Sequence, residues 1–160
     1  MTPILFLDVD GVLNSHGSFV RNGEPVWRVD ADKVALLNEV VRRTGCHVVV
    51  SSTWRKGPED GPDGCREILR ARGVRVRFPR DWRTDGSLDG IRGGEIADWL
   101  RRNGSPPYAI VDDDSDMLPE QQARFVQTNF EEGLTRAHAD RLIALLSPAG
   151  LKEQGGGSAA

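Results

Sequence analysis

Ile4-Leu5-Phe6-Leu7-Asp8-Val9-Asp10-Gly11-Val12-Leu13-Asn14, close to the start of the chain, decides how the rest is read. The apolar run from Ile4 to Leu7 lies between Pro3 and Gly11, a length and a pair of flanks that suit a strand buried on both faces in a parallel sheet. Its carboxyl end delivers Asp8 and Asp10. In open α/β sheets, ligands bind in the crevice beyond the carboxyl ends of the strands. Asp10-Gly11 is also a common turn pair, so the stretch gains chemical meaning only from the strands that follow.

Working outward, residues 15–29 are irregular, and Asn22-Gly23 suits the turn of a small hairpin, a flap beside the strand end. Asp30 reads as the N-cap of a helix over 31–44, with Val34, Leu37, Val40 and Val41 at helical spacing and Gly45 as its stop. His47-Val48-Val49-Val50 is a second strand, ending in Ser51-Ser52-Thr53-Trp54-Arg55. A loop over 57–64, a helix over 65–72, a third strand over 74–78, a loop over 79–94 and a helix over 95–102 follow. Tyr108-Ala109-Ile110-Val111 is a fourth strand, ending in Asp112-Asp113-Asp114-Ser115-Asp116. Phe125-Val126-Gln127 is a short fifth, and 135–146 a last helix. Strands alternating with helices predict an α/β fold: a three-layer α/β/α sandwich around a mainly parallel, five-stranded, Rossmann-like sheet. One domain is expected over 1–150, with the flap at about 14–29. From Gln154 the composition is that of a flexible linker, native or added.

The 160 residues are 38% hydrophobic and 28% charged, as in an ordinary globular domain with a real core. A formal net charge of -3 excludes a protein held to nucleic acid by bulk charge, though clustered arginines leave room for a local basic groove. No apolar run spans a bilayer and no basic-then-apolar leader is present, so no membrane partner is expected. Cys46 and Cys65 make neither a metal spacing nor a disulfide framework, and reduced thiols in a cytoplasmic protein are the expectation.

Three strands thus end in polar clusters: Asp8/Asp10, Ser51/Ser52/Thr53 and Asp112/Asp113. A parallel sheet brings all three ends to one edge. Carboxylates from two strands can hold a hard cation such as Mg²⁺. Hydroxyls can donate to phosphate oxygens, with charge added by Arg55 and Arg92. Gly11, Ser52, Thr53 and Arg55 are the candidates for receiving the substrate phosphate. The chemical logic is phosphoryl transfer, in which a carboxylate attacks in line while metal and donors neutralise the phosphoryl oxygens.

On these residues the sequence resembles the haloacid dehalogenase (HAD) superfamily. Asp8-Val9-Asp10-Gly11-Val12 is similar to its first motif, Ser51 to its second and Asp112-Asp113 to its acidic fourth, in matching order and spacing over about 4–146. The wording DVDGVLN, VVVSSTWR, EIADWL and VDDDSDM is most similar to small HAD domains grouped with RNA-repair proteins. The resemblance implies that Asp8 is a nucleophile forming an aspartyl-phosphate and a Mg²⁺ ligand. Asp10 would be the general acid and base, with its backbone carbonyl on the metal, and Ser51 would hold the transferring phosphoryl group. Asp113, then Asp112, would complete the metal site, with Asp116 as an outer acid. A second Asp in the first motif separates the family's phosphatases from its dehalogenases. The lysine of the family's third motif has no counterpart, because none lies between Lys56 and Lys152; Arg92 is the substitute. An EF-hand reading of 112–123 fails, since its glycine position is Met117 and its last ligand position Ala123.

Neither usual insertion point has room for a cap domain, so the site is expected to be open and to take a large phosphorylated substrate that covers it, such as a nucleic-acid end or a phosphoprotein. Arg75-Val76-Arg77-Phe78-Pro79-Arg80-Asp81-Trp82-Arg83 offers a docking surface, with Trp54 and Trp82 as surfaces for stacking a base. The competing readings are a small-metabolite phosphatase and a weak or inactive module that binds metal or a phosphorylated partner. A monomer or weak dimer is expected.

Overall fold

The computed structural model describes residues 1–18, 28–56, 64–86 and 90–156. Along them run β1 (Ile4–Leu7), α1 (Ala31–Thr44), β2 (His47–Val50), a 3₁₀ turn (Thr53–Lys56), α2 (Gly64–Ala71), α3 (Arg92–Arg102), β3 (Tyr108–Asp112), a second 3₁₀ turn (Pro119–Arg124), β4 (Phe125–Gln127), α4 (Arg136–Leu146) and α5 (Pro148–Gly156). The strands pair in the order β2-β1-β3-β4, all parallel. The hairpin expected around Asn22-Gly23 lies outside the described residues.

Alternation along β1 builds the layers. Leu5 and Leu7 point to one face, where they join Val34, Leu37 and Val40 of α1 and Ala139, Leu142 and Leu146 of α4. Ile4 and Phe6 point to the other, against Ile96 and Trp99 of α3. Phe6 meets the Trp99 ring edge-on, with centroids 5.3 Å apart, a favoured aromatic geometry. The α/β/α sandwich is therefore as the sequence predicts, and no helix among the described residues is long and apolar enough to cross a membrane.

Two expectations are corrected. The described residues form four strands rather than five, because the segment over 74–78 borders β2 without becoming a strand. Val48 N donates to Arg77 O and Val50 N to Trp82 O, each at 2.8 Å, so β2 advances from 48 to 50 while its neighbour runs from 77 to 82. That neighbour bulges through Pro79, which has no N–H to continue a ladder, and regains a single bridge at Val50 and Arg83. The second correction is at the end of the chain. Gln154 belongs to α5 and is not tail: its side-chain oxygen accepts from Tyr108 N at 3.0 Å and its amide donates to Leu145 O at 3.3 Å. The first of these satisfies a backbone donor at the open start of β3.

Phe6→Ala would empty a fully buried site between sheet and α3. We expect a loss of about 3–5 kcal/mol, read from the urea unfolding midpoint at constant m-value.

Candidate active site

The strand register sets the site. Leu7 lies opposite Val50 on one side and Val111 on the other. The next residue on each strand, Asp8, Ser51 and Asp112, therefore stands at the same level, with Asp112 still paired to Gln127 of β4. Asp8 N donates to Val111 O at 3.0 Å and Ser51 N to Leu7 O at 2.9 Å, so the backbone stays locked through the first residue of the site.

Asp8, Asp112 and Asp113 each bring one carboxylate oxygen within 4.8 Å of the others. Asp8 is 7% exposed and Asp112 2%, so these carboxyl groups crowd together largely out of water. The Asp8 carboxyl is pushed far above the ordinary range, first by burial and then by the neighbouring charges of Asp112 and Asp113, with Arg92 opposing. Asp112 is also raised by burial, against the pull of the Asp114 backbone N–H and of Arg92. Its Oδ1 accepts from Asp114 N at 2.9 Å, while its buried Oδ2 has no hydrogen-bond partner among the described residues. Buried acids in this arrangement fit a hard divalent cation, which takes oxygen ligands and supplies the missing countercharge.

Gly11 makes the cluster possible. Its φ is +81°, and a side chain there would overlap the Asp113 carboxylate, so both conformation and space require glycine. Thr128 Oγ1 donates to Gly11 O at 2.6 Å, and Gly11 N donates to Asn14 Oδ1 at 2.9 Å. Asp10 stands apart from the cluster. Its Oδ1 accepts from Asn14 Nδ2 at 2.9 Å and from the Trp54 indole N–H at 3.1 Å. Two donors from different elements thus fix one oxygen of the carboxylate.

At the end of β2, Ser51 is fully buried and its hydroxyl has no hydrogen-bond partner. Such a group normally finds one, so among the described residues its donor and acceptor capacity is unspent. Ser52 is also buried, and its hydroxyl accepts from Trp54 N at 3.2 Å. Thr53 is exposed at the start of the 3₁₀ turn. Arg55 is 5% exposed, with its guanidinium donating to Ser51 O at 3.2 Å, Ser52 O at 2.8 Å and Glu95 Oε1 at 3.3 Å. It braces the turn from behind and does not reach outward for a phosphate.

Arg92 opens α3, and its Nε lies 3.6 Å from Asp112 Oδ2 while its Nη1 donates to Glu95 Oε2 at 3.2 Å. The helix start is fixed by Asp116, whose Oδ2 accepts from Arg92 N at 2.9 Å and whose carbonyl accepts from Gly93 N at 3.0 Å. Asp116 is thus a helix cap. Glu95 is 4% exposed and joins Arg55, Arg92 and Thr84 Oγ1.

The structure therefore brings together Asp8, Asp112, Asp113, Arg92 and Ser51, with Asp10 beside them on the same loop. It does not leave Trp54 or Trp82 as open stacking surfaces: both are buried, and the guanidinium groups of Arg66 and Arg83 lie over the Trp82 ring at 4.8 and 5.4 Å. Within the arginine-rich segment, Arg83 donates to Arg55 O at 3.1 Å and Arg75 to Arg70 O at 3.1 Å. Three residues escaped the sequence reading. Asn14 had a signal, since an Asn four residues beyond Asp10 can close an Asx-type loop. Glu95 and the Trp54 N–H had none, because their partners come from distant strands and helices.

An all-parallel α/β sheet with three acids gathered at the ends of β1 and β3 has the layout of a HAD-type domain. Over residues 4–139 the chain matches the family described as "HAD domain in Swiss Army Knife RNA repair proteins", and it belongs to that family. No curated protein is significantly similar to it. A solved structure described as a HAD superfamily (subfamily III A) hydrolase from Legionella pneumophila is similar with a TM-score of 0.41 and 13% identity, covering 96% of this chain and 86% of that one. The family assignment rests on the sequence match.

Raised carboxyls hold protons in the folded chain that the unfolded chain, with ordinary values near about 4, has already released. The acid cluster should therefore favour the metal-free fold most at low pH, and its contribution should fall as pH rises through neutrality toward the folded-state titration of Asp8. We expect Asp8→Asn to flatten that decline and to raise the thermal midpoint at pH 8 in EDTA. Mg²⁺ should stabilise the wild type more at pH 8 than at pH 6.

Proposed function

We propose that this domain is a Mg²⁺-dependent phosphomonoester hydrolase that works through an aspartyl-phosphate on Asp8, with a polynucleotide end as substrate. The observation that carries the reading is the common level of Asp8, Ser51 and Asp112 at the sheet edge, with the Ser51 hydroxyl buried and unpartnered. Asp8, Asp112, Asp113 and the backbone carbonyl of Asp10 are the groups that would hold the metal. Bound there, the cation supplies charge that keeps the acids ionised and draws charge from the phosphoryl oxygens.

In the first step an oxygen of Asp8 attacks phosphorus in line, the bond from phosphorus to the leaving oxygen breaks, and Asp10 gives that oxygen a proton. In the second, Asp10 takes a proton from water as the water oxygen attacks the aspartyl-phosphate, releasing phosphate and restoring Asp8. The Trp54 and Asn14 donors hold one oxygen of Asp10, leaving the other to carry the proton. Ser51 Oγ donates to a phosphoryl oxygen, and Arg92 stands in the place of the family lysine with its charge shared between Asp112 and the substrate. The connections over 15–29 and 92–107 are too short in sequence to hold a cap domain, which favours a phosphate at the end of a polymer that covers the site itself.

A second reading has one observation in its favour. Arg92 is tied to Glu95 and Asp112, and a planar guanidinium is not a mobile ammonium; a module that binds metal and phosphate without turnover would show the same contacts.

The deciding experiment is phosphate release from p-nitrophenyl phosphate and from 3′- and 5′-phosphorylated oligonucleotides, with Mg²⁺ or EDTA. The proposal expects activity that needs Mg²⁺, disappears in Asp8→Asn and falls about 10²–10⁴-fold in Asp10→Asn, with oligonucleotide preferred. Metal binding by the wild type with no release from any ester would select the second reading. Trp54→Phe keeps the packing and removes one donor to Asp10; we expect a several-fold lower kcat and a shifted pH profile, while KM stays nearly constant.

A further inference from the structure

The basic groove at the opposite edge of the sheet has no part in the chemistry above. Between the end of α1 and the segment after α2 lies a cavity of about 660 Å³, walled by Arg42, Arg70, Arg75 and Arg77 over a floor of Val41, Cys46, Val74 and Val76. It runs on into a second hollow of about 560 Å³ that shares Val41, Arg42 and Arg75. The four arginines are exposed, and among the described residues lining the larger cavity there is no carboxylate. Glu39, in the second hollow, is already held by Arg43 at 3.5 Å and Arg136 at 2.8 Å. In a chain with a net charge of -3, this is a local concentration of positive charge that the described residues leave uncompensated.

We propose that this groove binds the backbone of a single-stranded polynucleotide. Four separate cations match a run of phosphates; one phosphate group, free or on a peptide, would leave most of them without a partner. All are arginines, whose planar guanidinium pairs with phosphate in two-point fashion and stacks on bases. The apolar floor offers bases a surface, while the concave shape does not suit a lipid bilayer. Gly45 and Cys46 directly precede β2, whose far end carries Ser51, so groove and acids are separated by the length of one short strand, roughly 13 Å at about 3.3 Å per residue. Exposed Arg77 and Arg80 lie on the segment that borders β2 between them. A strand held in the groove can follow this edge and present its phosphorylated end to Asp8. The binding itself is independent of turnover; only the delivery of an end to Asp8 rests on the phosphatase reading.

The test is fluorescence anisotropy of a labelled, 3′-phosphorylated single-stranded RNA of about 12 nucleotides, within the size range of known single-strand sites, with the full chain in EDTA. Four phosphate contacts predict a log–log salt slope near about -3, at about 0.7 per contact for single strands. Arg42→Glu/Arg77→Glu should weaken binding at least about tenfold and roughly halve the slope, in keeping with the loss of two contacts, while turnover of p-nitrophenyl phosphate stays unchanged. The milder Arg42→Gln/Arg77→Gln pair should weaken binding several-fold and guards against loss of fold. Equal affinity in wild type and variants overturns the proposal. So does displacement of the RNA by polyglutamate at equal charge, which would assign the groove to an acidic protein. If no ester is hydrolysed, the phosphatase reading fails while the anisotropy still decides the groove.

Discussion

The whole site depends on the pairing of β1 with a parallel neighbour on each side. Four residues of β1 are held in register with β2 and with β3, so Asp8, Ser51 and Asp112 follow at one level. This places Asp8 and Asp112, two groups that repel each other, side by side and buried. The cost is met by the packing on both faces of β1, where Leu5, Phe6 and Leu7 are fully enclosed. A one-residue slip of β3 would turn Asp112 away from Asp8 and expose a core side chain. The hydrophobic layers therefore hold the acids together as firmly as they hold the fold.

Behind the acids lies a second, neutralising layer. Arg55 ties the two serine carbonyls to Glu95, and Glu95 ties Arg55 to Arg92, which faces Asp112. Charges alternate along this chain from the end of β2 to the end of β3. Because Arg55 and Glu95 are almost wholly out of water, removing either leaves its partner charged and buried, a far larger penalty than loss of a surface pair. The network gives the short β2 turn and the start of α3 a fixed separation, and with it the distance between Ser51 and the acids.

The sequence made legible whatever depends on local pattern. The apolar runs of β1, β2 and β3, the helix that Gly45 ends, and the strand-end acids follow from spacing and composition, and the HAD likeness of Asp8-Val9-Asp10-Gly11-Val12 was readable from the same residues. What stayed hidden depends on contacts between distant segments. The stretch over 74–78 has the alternation of a strand, yet Pro79 and the following bulge keep it from pairing in register. Trp54 and Trp82 look like stacking surfaces in an arginine-rich context, but the core claims both. Arg55 reads as a phosphate ligand from its place after Ser51, and only the position of Glu95, on a helix after an unrelated loop, shows that it faces inward. Gln154 lies in a linker-like sequence and still closes the backbone of β3.

Gly11 and Asp113 come from opposite halves of the chain, yet they occupy one another's space: the carboxylate rests where a β-carbon on residue 11 would be. In evolutionary terms these two positions are a single character. A lineage that acquired any side chain at 11 would have to withdraw or shorten the acid at 113 in the same step, and would break up the three-acid cluster with it. The acid at 113 should thus be found only where residue 11 is glycine, whereas a glycine at 11 can outlast the acid and leave the sheet intact.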